Sequence, residues 1–322
     1  MDGLVKILFF GTPEIAIPSL QKVHKHFSVV GVVCQPDKPS GRHLRITPPP
    51  IKIEAEKLGI PVFQPEKVND PVYLQKFKEL QPDLGVVVAY GRFLKEELLS
   101  LPKLGYIINL HPSLLPRWRG PSPIQTAILE GDTKTGVTIM KISMEMDAGD
   151  ILLQESTSID INETAEELAH RLSIMGADLL IQSIHLIAEN KAIFTPQDHS
   201  KATYCHLIEK KQGIIHWDLP ALTIHNCVRG CLPWPVAFTK FKDEIIRIHK
   251  TELLTESHNY NDVKPGTVVD IEKDKCIVKT GKGLIGVCML QAPNRKPLTF
   301  REYINGKPIC IGDVFEEVSE NG

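Results

Sequence analysis

The chain has 322 residues, 42% of them hydrophobic and 24% charged, and a formal net charge of −2. That length exceeds one comfortable core and suits two domains, with the composition of an ordinary globular enzyme. The near-neutral balance excludes a global positive field that would draw in nucleic acid, so any RNA contact has to come from a local basic surface.

The opening MDGLVKILFFGTPE has a short apolar run, no small-residue cleavage site and an immediate turn, so no signal peptide is expected. Residues 5–10 are nearly continuous apolar residues, as buried parallel strands are, and Gly11-Thr12-Pro13 ends them, with Pro13 able to open a helix. A second strand is expected over 27–34, a short helix around 54–58, a short strand at 61–63, a helix over 72–80, and buried strands at 84–89 and 105–110. Strands separated by helices imply an α/β, Rossmann-like parallel sheet with both faces covered. Strands at 137–142 and 151–155 extend the sheet and flank an acidic turn, and a long helix runs from about 162 to 188. No stretch is expected to reach the roughly 18–20 apolar residues that cross a bilayer, so no membrane partner is expected.

Periodicity is lost from about 193 to 212, and beyond it short strand candidates at 236–241, 245–249, 267–271, 276–280 and 284–290 suggest a small antiparallel, OB-like β-barrel. The organisation expected is a catalytic domain over 1–190, a linker over 191–206 and a C-terminal barrel over 207–322. The seven cysteines, including Cys227 and Cys231 around a helix-like segment, match no zinc spacing and read as reduced thiols.

Asn109 and His111 end the strand at 105–110, where ligands of open parallel sheets bind. Two positions apart, they start on one side of the strand, and an amide and an imidazole pointing together can donate to one developing oxyanion. Alone, such a pair is more often a satisfied strand-end turn. Pro112, Pro116, Pro121 and Pro123 then forbid a helix and stiffen the following loop, which reduces the entropy lost on ordering around a ligand.

The run HPSLLPRWRG, preceded by Asn109 and followed by GVTIMKI and MDAGDIL, resembles the signature of the folate-dependent formyltransferases. With KILFFGTPEIAIPSL, QPDKPSGR, CLPWPVAF and Pro265-Gly266, the likeness spans essentially the whole chain and is closest to the methionyl-tRNA formyltransferases. The resemblance implies transfer of a formyl group from 10-formyltetrahydrofolate, a reduced-folate co-substrate, to the amino group of initiator methionyl-tRNA. It implies catalytic roles for Asn109, His111 and Asp147, and a folate-contacting loop of Ser113, Leu114, Leu115 and Pro116. A wall of the pterin pocket is implied at Val86, Val88 and Tyr90. Asn109 and protonated His111 would stabilise the oxyanion, while Asp147 would orient the imidazolium and help take the amine proton. No metal is needed for that chemistry, and a cytoplasmic monomer is expected.

Segment 35–50 is long, proline-rich and basic, and is expected to lack regular structure. The resemblance implies that it meets the tRNA acceptor arm through Arg42, with Lys38 and Arg45 beside it. The run His43-Leu44-Arg45-Ile46 is less lysine-rich than in many relatives, and Arg92 stands where they often have an apolar residue. The C-terminal barrel is expected to be an auxiliary tRNA platform by fold analogy, and Trp234 a packing residue. Two other readings stay open: a relative of the same superfamily acting on a small amine or hydrolysing formyl-folate, and a non-enzymatic RNA-binding module. The missing G-x-G-x-x-G after the first strand weakens a dinucleotide reading.

Overall fold

A computed structural model of the chain describes residues 5–40, 45–254, 260 and 262–319. Two compact units emerge: Met1–Pro123 with Lys134–Ser158 and Ala169–His206, and Ile124–Thr133 with Ile159–Leu168 and Leu207–Gly322.

The first unit begins with Lys6–Gly11 (β1), whose side chains are buried from Ile7 onward. Ile17–His26 (α1) follows, with a proline in its first turn and His24, Lys25 and His26 near its C-terminal carbonyls, where positive charge is favourable. Ser28–Val33 (β2), Lys38–Ser40 (β3), Arg45–Thr47 (β4), Pro50–Lys57 (α2) and Val62–Phe63 (β5) come next. In Pro71–Glu79 (α3), Asp70 caps the helix by accepting from the Val72 N–H. Leu84–Val88 (β6), Glu96–Leu99 (α4), Ile107–His111 (β7), Pro123–Leu129 (α5), Lys134–Lys141 (β8), Ile151–Ser158 (β9) and Ala165–Ala188 (α6) complete the series, with α5 beyond Pro123 and the first four residues of α6 grouped with the second unit.

The sheet order is β5-β2-β1-β6-β7-β8-β9. It is parallel from β5 to β7, and the last two strands join antiparallel. The chain leaves β1 toward β2 and returns on the other side at β6, so the switch point lies between the carboxyl ends of β1 and β6, one strand from β7. Gly176 of α6 faces β7, where a Cβ would come within 2.6 Å of Leu110, so the missing side chain permits close packing behind the strand.

Two expectations need correction. Segment 35–50 carries regular structure: β3 and β4 pair antiparallel, Lys38 opposite Thr47 and Pro39 opposite Ile46. Its base is fixed by Lys52 and Gln64, which both donate to Asp37. Helix α6 is also long and apolar enough, by length and composition, to cross a bilayer. Half of its most apolar stretch is buried inside the protein, as in a helix that packs one face on a core.

The second unit contains Ala221–Gly230 (α7), Ala237–Phe241 (β10), Glu244–Leu253 (β11), Val268–Ile271 (β12), Cys276–Lys279 (β13), Leu284–Gln291 (β14), Leu298–Thr299 (β15), Phe300–Ile304 (α8) and Phe315–Glu316 (β16). Its antiparallel sheet runs β12-β13-β14-β11-β10-β16. The Val268 N–H donates to Asp313 O and the Phe315 N–H to Gly266 O, both at 2.8 Å, which draws the sheet's two ends together into a small barrel. Trp217 fills the interior, stacked on Phe315 and donating from Nε1 to Thr239 Oγ1 at 2.9 Å. Trp234, expected to pack, is 55% exposed.

Two histidines are expected to make this unit acid-sensitive. His225 is buried between Thr251 Oγ1 and the Ile161 carbonyl, each 2.9 Å away. Burial holds its pKa below the ordinary histidine value against the opposing pull of the Ile161 carbonyl, and nearby Arg229 adds a smaller lowering contribution. Burial likewise lowers His249, which bonds Gln291. As pH falls through the unfolded histidine range near 6.5, the unfolded chain takes up protons that the folded one refuses. Stability is expected to be independent of these groups above that range and to fall below it, by up to about 1.4 kcal/mol per pH unit for each histidine. Urea unfolding at pH 7.5 and 5.5, compared between the protein and His225→Gln, checks this: the substitution is expected to shallow the pH slope.

Candidate active site

Strand β7 carries Asn109 and His111 to the carboxyl edge of the sheet. Asn109 lies across from Val87 of β6 and Met140 of β8, and His111 lies across from Thr138. Alternation along the strand puts both on one face. His111 is only 4% exposed, and its Nε2 is 2.9 Å from the Trp118 carbonyl. A carbonyl only accepts, so Nε2 carries a proton, and Nδ1 is the nitrogen that faces Asp147 Oδ2 at 3.8 Å.

Asp147 belongs to the turn that joins β8 to β9. It holds a left-handed backbone, φ 49°, which costs a non-glycine residue about 1 kcal/mol or more. Its Oδ2 accepts from the Gly120 N–H at 2.8 Å. Gly149, two residues on, allows the two arms of the turn to touch, since a Cβ there would lie 1.9 Å from Lys141 O. Thus two residues 36 positions apart along the chain, a buried imidazole and a carboxylate, meet beyond the strand ends.

Residues 5–184 match the family model described as Formyl transferase, and residues 207–308 match that described as Formyl transferase, C-terminal domain. The methionyl-tRNA formyltransferase of Sulfurihydrogenibium sp. is 43% identical over 315 residues, covering 97% of this chain and all of that one. The chain belongs to the methionyl-tRNA formyltransferase family. Among solved structures, the N-formyltransferase of Helicobacter canadensis shares the fold with TM-score 0.68 and 22% identity, over 90% of this chain and 100% of that one. HypX from Aquifex aeolicus does so with TM-score 0.65 and 14% identity, over 97% of this chain, which spans about half (49%) of HypX.

The family signature loop follows β7 directly. Ser113 is buried, and its Oγ donates to Arg117 O at 2.6 Å. Thr138 stitches the loop to β8, donating to Ser113 O at 2.7 Å and accepting from the Leu115 N–H at 3.2 Å. Leu114 leans over Gly136, where a Cβ would lie 2.6 Å from its Cδ2, and Pro116 accepts from the Thr203 N–H. Val86 and Val88 are buried strand residues beside β7. Tyr90 points into the core with its ring edge-on to Phe10, 5.6 Å between centroids. Burial pushes its phenol well above the ordinary range. Its carbonyl, by contrast, accepts from Gln35 Nε2 and Thr12 Oγ1. Arg92 is exposed. Lys38 is exposed on β3, with Nζ bonded to Gln35, and Arg45 opens β4. Arg42 lies outside the described residues.

Several groups at the site carry no sequence signal. The segment 191–206, expected as a linker, is bonded along its length to this unit: Thr195 exchanges two hydrogen bonds with Ile151, and Arg119 bridges Thr203 and Cys205. Gln197 is buried and reaches both Arg119 and the Asp147 turn. Only the strong family pattern around Arg119-Gly120 hinted at a role there.

Cysteine chemistry is disfavoured at the buried thiols, since burial pushes Cys34 and Cys276 up to about 12. Among the described residues, His216, Asp218 and Glu317 bring three potential metal ligands within 4.8 Å of one another. They belong to the second unit, and His111 is not among them.

Proposed function

We propose that this chain transfers the formyl group of 10-formyltetrahydrofolate to the amino group of initiator methionyl-tRNA. The observation that carries the reading is the full-length, 43% identical relative of that name, joined to the approach of His111 and Asp147 within 3.8 Å beyond the sheet. In the reaction the amine nitrogen bonds to the formyl carbon, a tetrahedral oxyanion forms, and the bond from carbon to the folate N10 breaks. The amine gives up one proton, and N10 gains one. Asn109 supplies an amide donor to the oxyanion. Because the Trp118 carbonyl holds His111 Nε2, Nδ1 is the nitrogen available for proton exchange, facing Asp147. Asp147 orients the imidazole and helps remove the amine proton, directly or through water.

Ser113, Leu114, Leu115 and Pro116 would bind folate, with Val86, Val88 and Tyr90 forming a wall. Tyr90 then contributes through its backbone, because its side chain is turned into the core. Lys38, Arg42 and Arg45 would meet the acceptor arm. The division into a catalytic domain over 1–190, a connecting segment over 191–206 and a tRNA-binding barrel over 207–322 belongs to the same reading, as do a cytoplasmic location and a monomeric state. The folate ligand in the H. canadensis structure supports a formyl-folate donor.

The test is a substrate panel with formyl-folate. Rapid formylation of charged initiator tRNA is expected, with elongator methionyl-tRNA far slower and amino-sugar nucleotides inert. Preference for an amino-sugar nucleotide, or formyl release without acceptor, would replace this reading by the small-amine or hydrolase alternative. RNA binding without turnover would favour the binding module.

A further inference from the structure

We infer that Gln197 and Arg119 form a buried brace that positions Asp147 for the reaction. The inference rests on Asp147 taking part in formyl transfer. Gln197 uses every polar atom of its amide on this task. Nε2 donates to Asp147 O and Gly149 O, both at 2.8 Å. Oε1 accepts from Arg119 Nη2 at 2.8 Å and Nε at 3.2 Å. The guanidinium is completely buried, and Nη1 reaches Glu145 Oε1, in the same turn, at 3.3 Å. Its Nη2 also lies 3.4 Å from His199 Nδ1.

The charged Arg119 therefore selects the orientation of the amide. A planar cation can only donate, so Oε1 must face it and Nε2 must face the turn. The two carbonyls on Nε2, Asp147's own and that of Gly149 two residues on, pin the backbone of Asp147 in its left-handed conformation, a strained state that persists only where its surroundings over-determine it. From the other side, the Gly120 N–H grips the carboxylate, and Gly120 is the neighbour of Arg119 in sequence. The pair thus holds the backbone of Asp147 directly, while the neighbour of Arg119 holds its side chain. Neither Gln197 nor Arg119 touches the reacting atoms in this account; both are positioning residues.

Gln197→Glu is the discriminating substitution. A carboxylate keeps the volume and pairs even better with Arg119, but its second oxygen faces two carbonyls with no proton to offer. The fold should hold while the turn loosens. Single-turnover formylation at saturating substrates is expected to slow by about 10²-fold, the scale set by ångström-size misplacement of a reacting group, with KM for both substrates nearly unchanged. The same change is then made in an Asp147→Asn background. If the brace acts through Asp147, Gln197→Glu adds little to the loss already caused by Asp147→Asn. Multiplying losses, or a Gln197→Glu rate equal to the parent, overturns the brace. An Asp147→Asn enzyme of full activity overturns instead the role of Asp147 on which the brace depends. Thermal unfolding verifies the fold, and if Gln197→Glu does not fold, Gln197→Asn, which keeps the amide but shortens its reach, enters the same comparison with the same expected outcomes.

Discussion

His111→Ala is expected to lower the single-turnover formylation rate by roughly 10²–10³-fold, the cost of removing one preorganised group from a developing oxyanion or its proton relay. The affinity for tRNA should change little, because the side chain is buried in the sheet edge and is not part of a basic surface. The substitution also removes the ring N–H from the Trp118 carbonyl, which still accepts from the Cys205 thiol, at a cost of about 1 kcal/mol. A thermal unfolding curve is therefore needed beside the kinetics. His111→Gln separates the two effects, since an amide can still donate to Trp118 O but cannot exchange a proton at neutral pH. It is expected to recover much of the stability and little of the rate. An unchanged rate in either variant would remove His111 from catalysis.

Gly120→Ala is expected to damage stability and activity together. Gly120 has φ 122°, and a Cβ there would lie 2.2 Å from Cys205 O and 3.1 Å from its sulfur. The obstacle is backbone, bonded in turn to Arg119, so it cannot swing aside as a flexible side chain would. A loss of about 3 kcal/mol or more follows from the strained conformation added to the overlap. Any shift of the Gly120 N–H also loosens its bond to Asp147 Oδ2, so the rate should fall even at temperatures where the protein is fully folded. Gly59→Ala is the control: it shares a positive φ, 69°, but has nothing within 4 Å of the added methyl. A urea midpoint and a formylation rate for each settle the comparison, and equal effects at the two glycines would contradict the argument.

The elements that mattered most were legible because their signals are local. The continuous apolar runs of β1, β6 and β7 announce buried strands, and Asn109 and His111 inherit their common face from the two-residue repeat of a strand. The prolines of 112–123 rule out a helix where the loop indeed lies. Segment 35–50 misled for the opposite reason. Its ribbon is held by pairing between β3 and β4 and by Asp37 to Lys52 and Gln64, partners that no hydropathy pattern displays. The exposed Trp234 shows the same limit, since burial of a large aromatic depends on what the fold brings against it.

By itself the sequence determined the succession of strands and helices, the placement of an amide and an imidazole at one strand end, and, through its signature, the family. Local φ/ψ preference and side-chain alternation suffice for that. Only the tertiary structure decided that β8 and β9 enter the sheet antiparallel, that Asp147 reaches His111, and that Gln197, 78 residues from Arg119, locks the turn between them. Those outcomes rest on hydrogen bonds between residues distant along the chain, whose partners exist only once the sheet has brought its edges together.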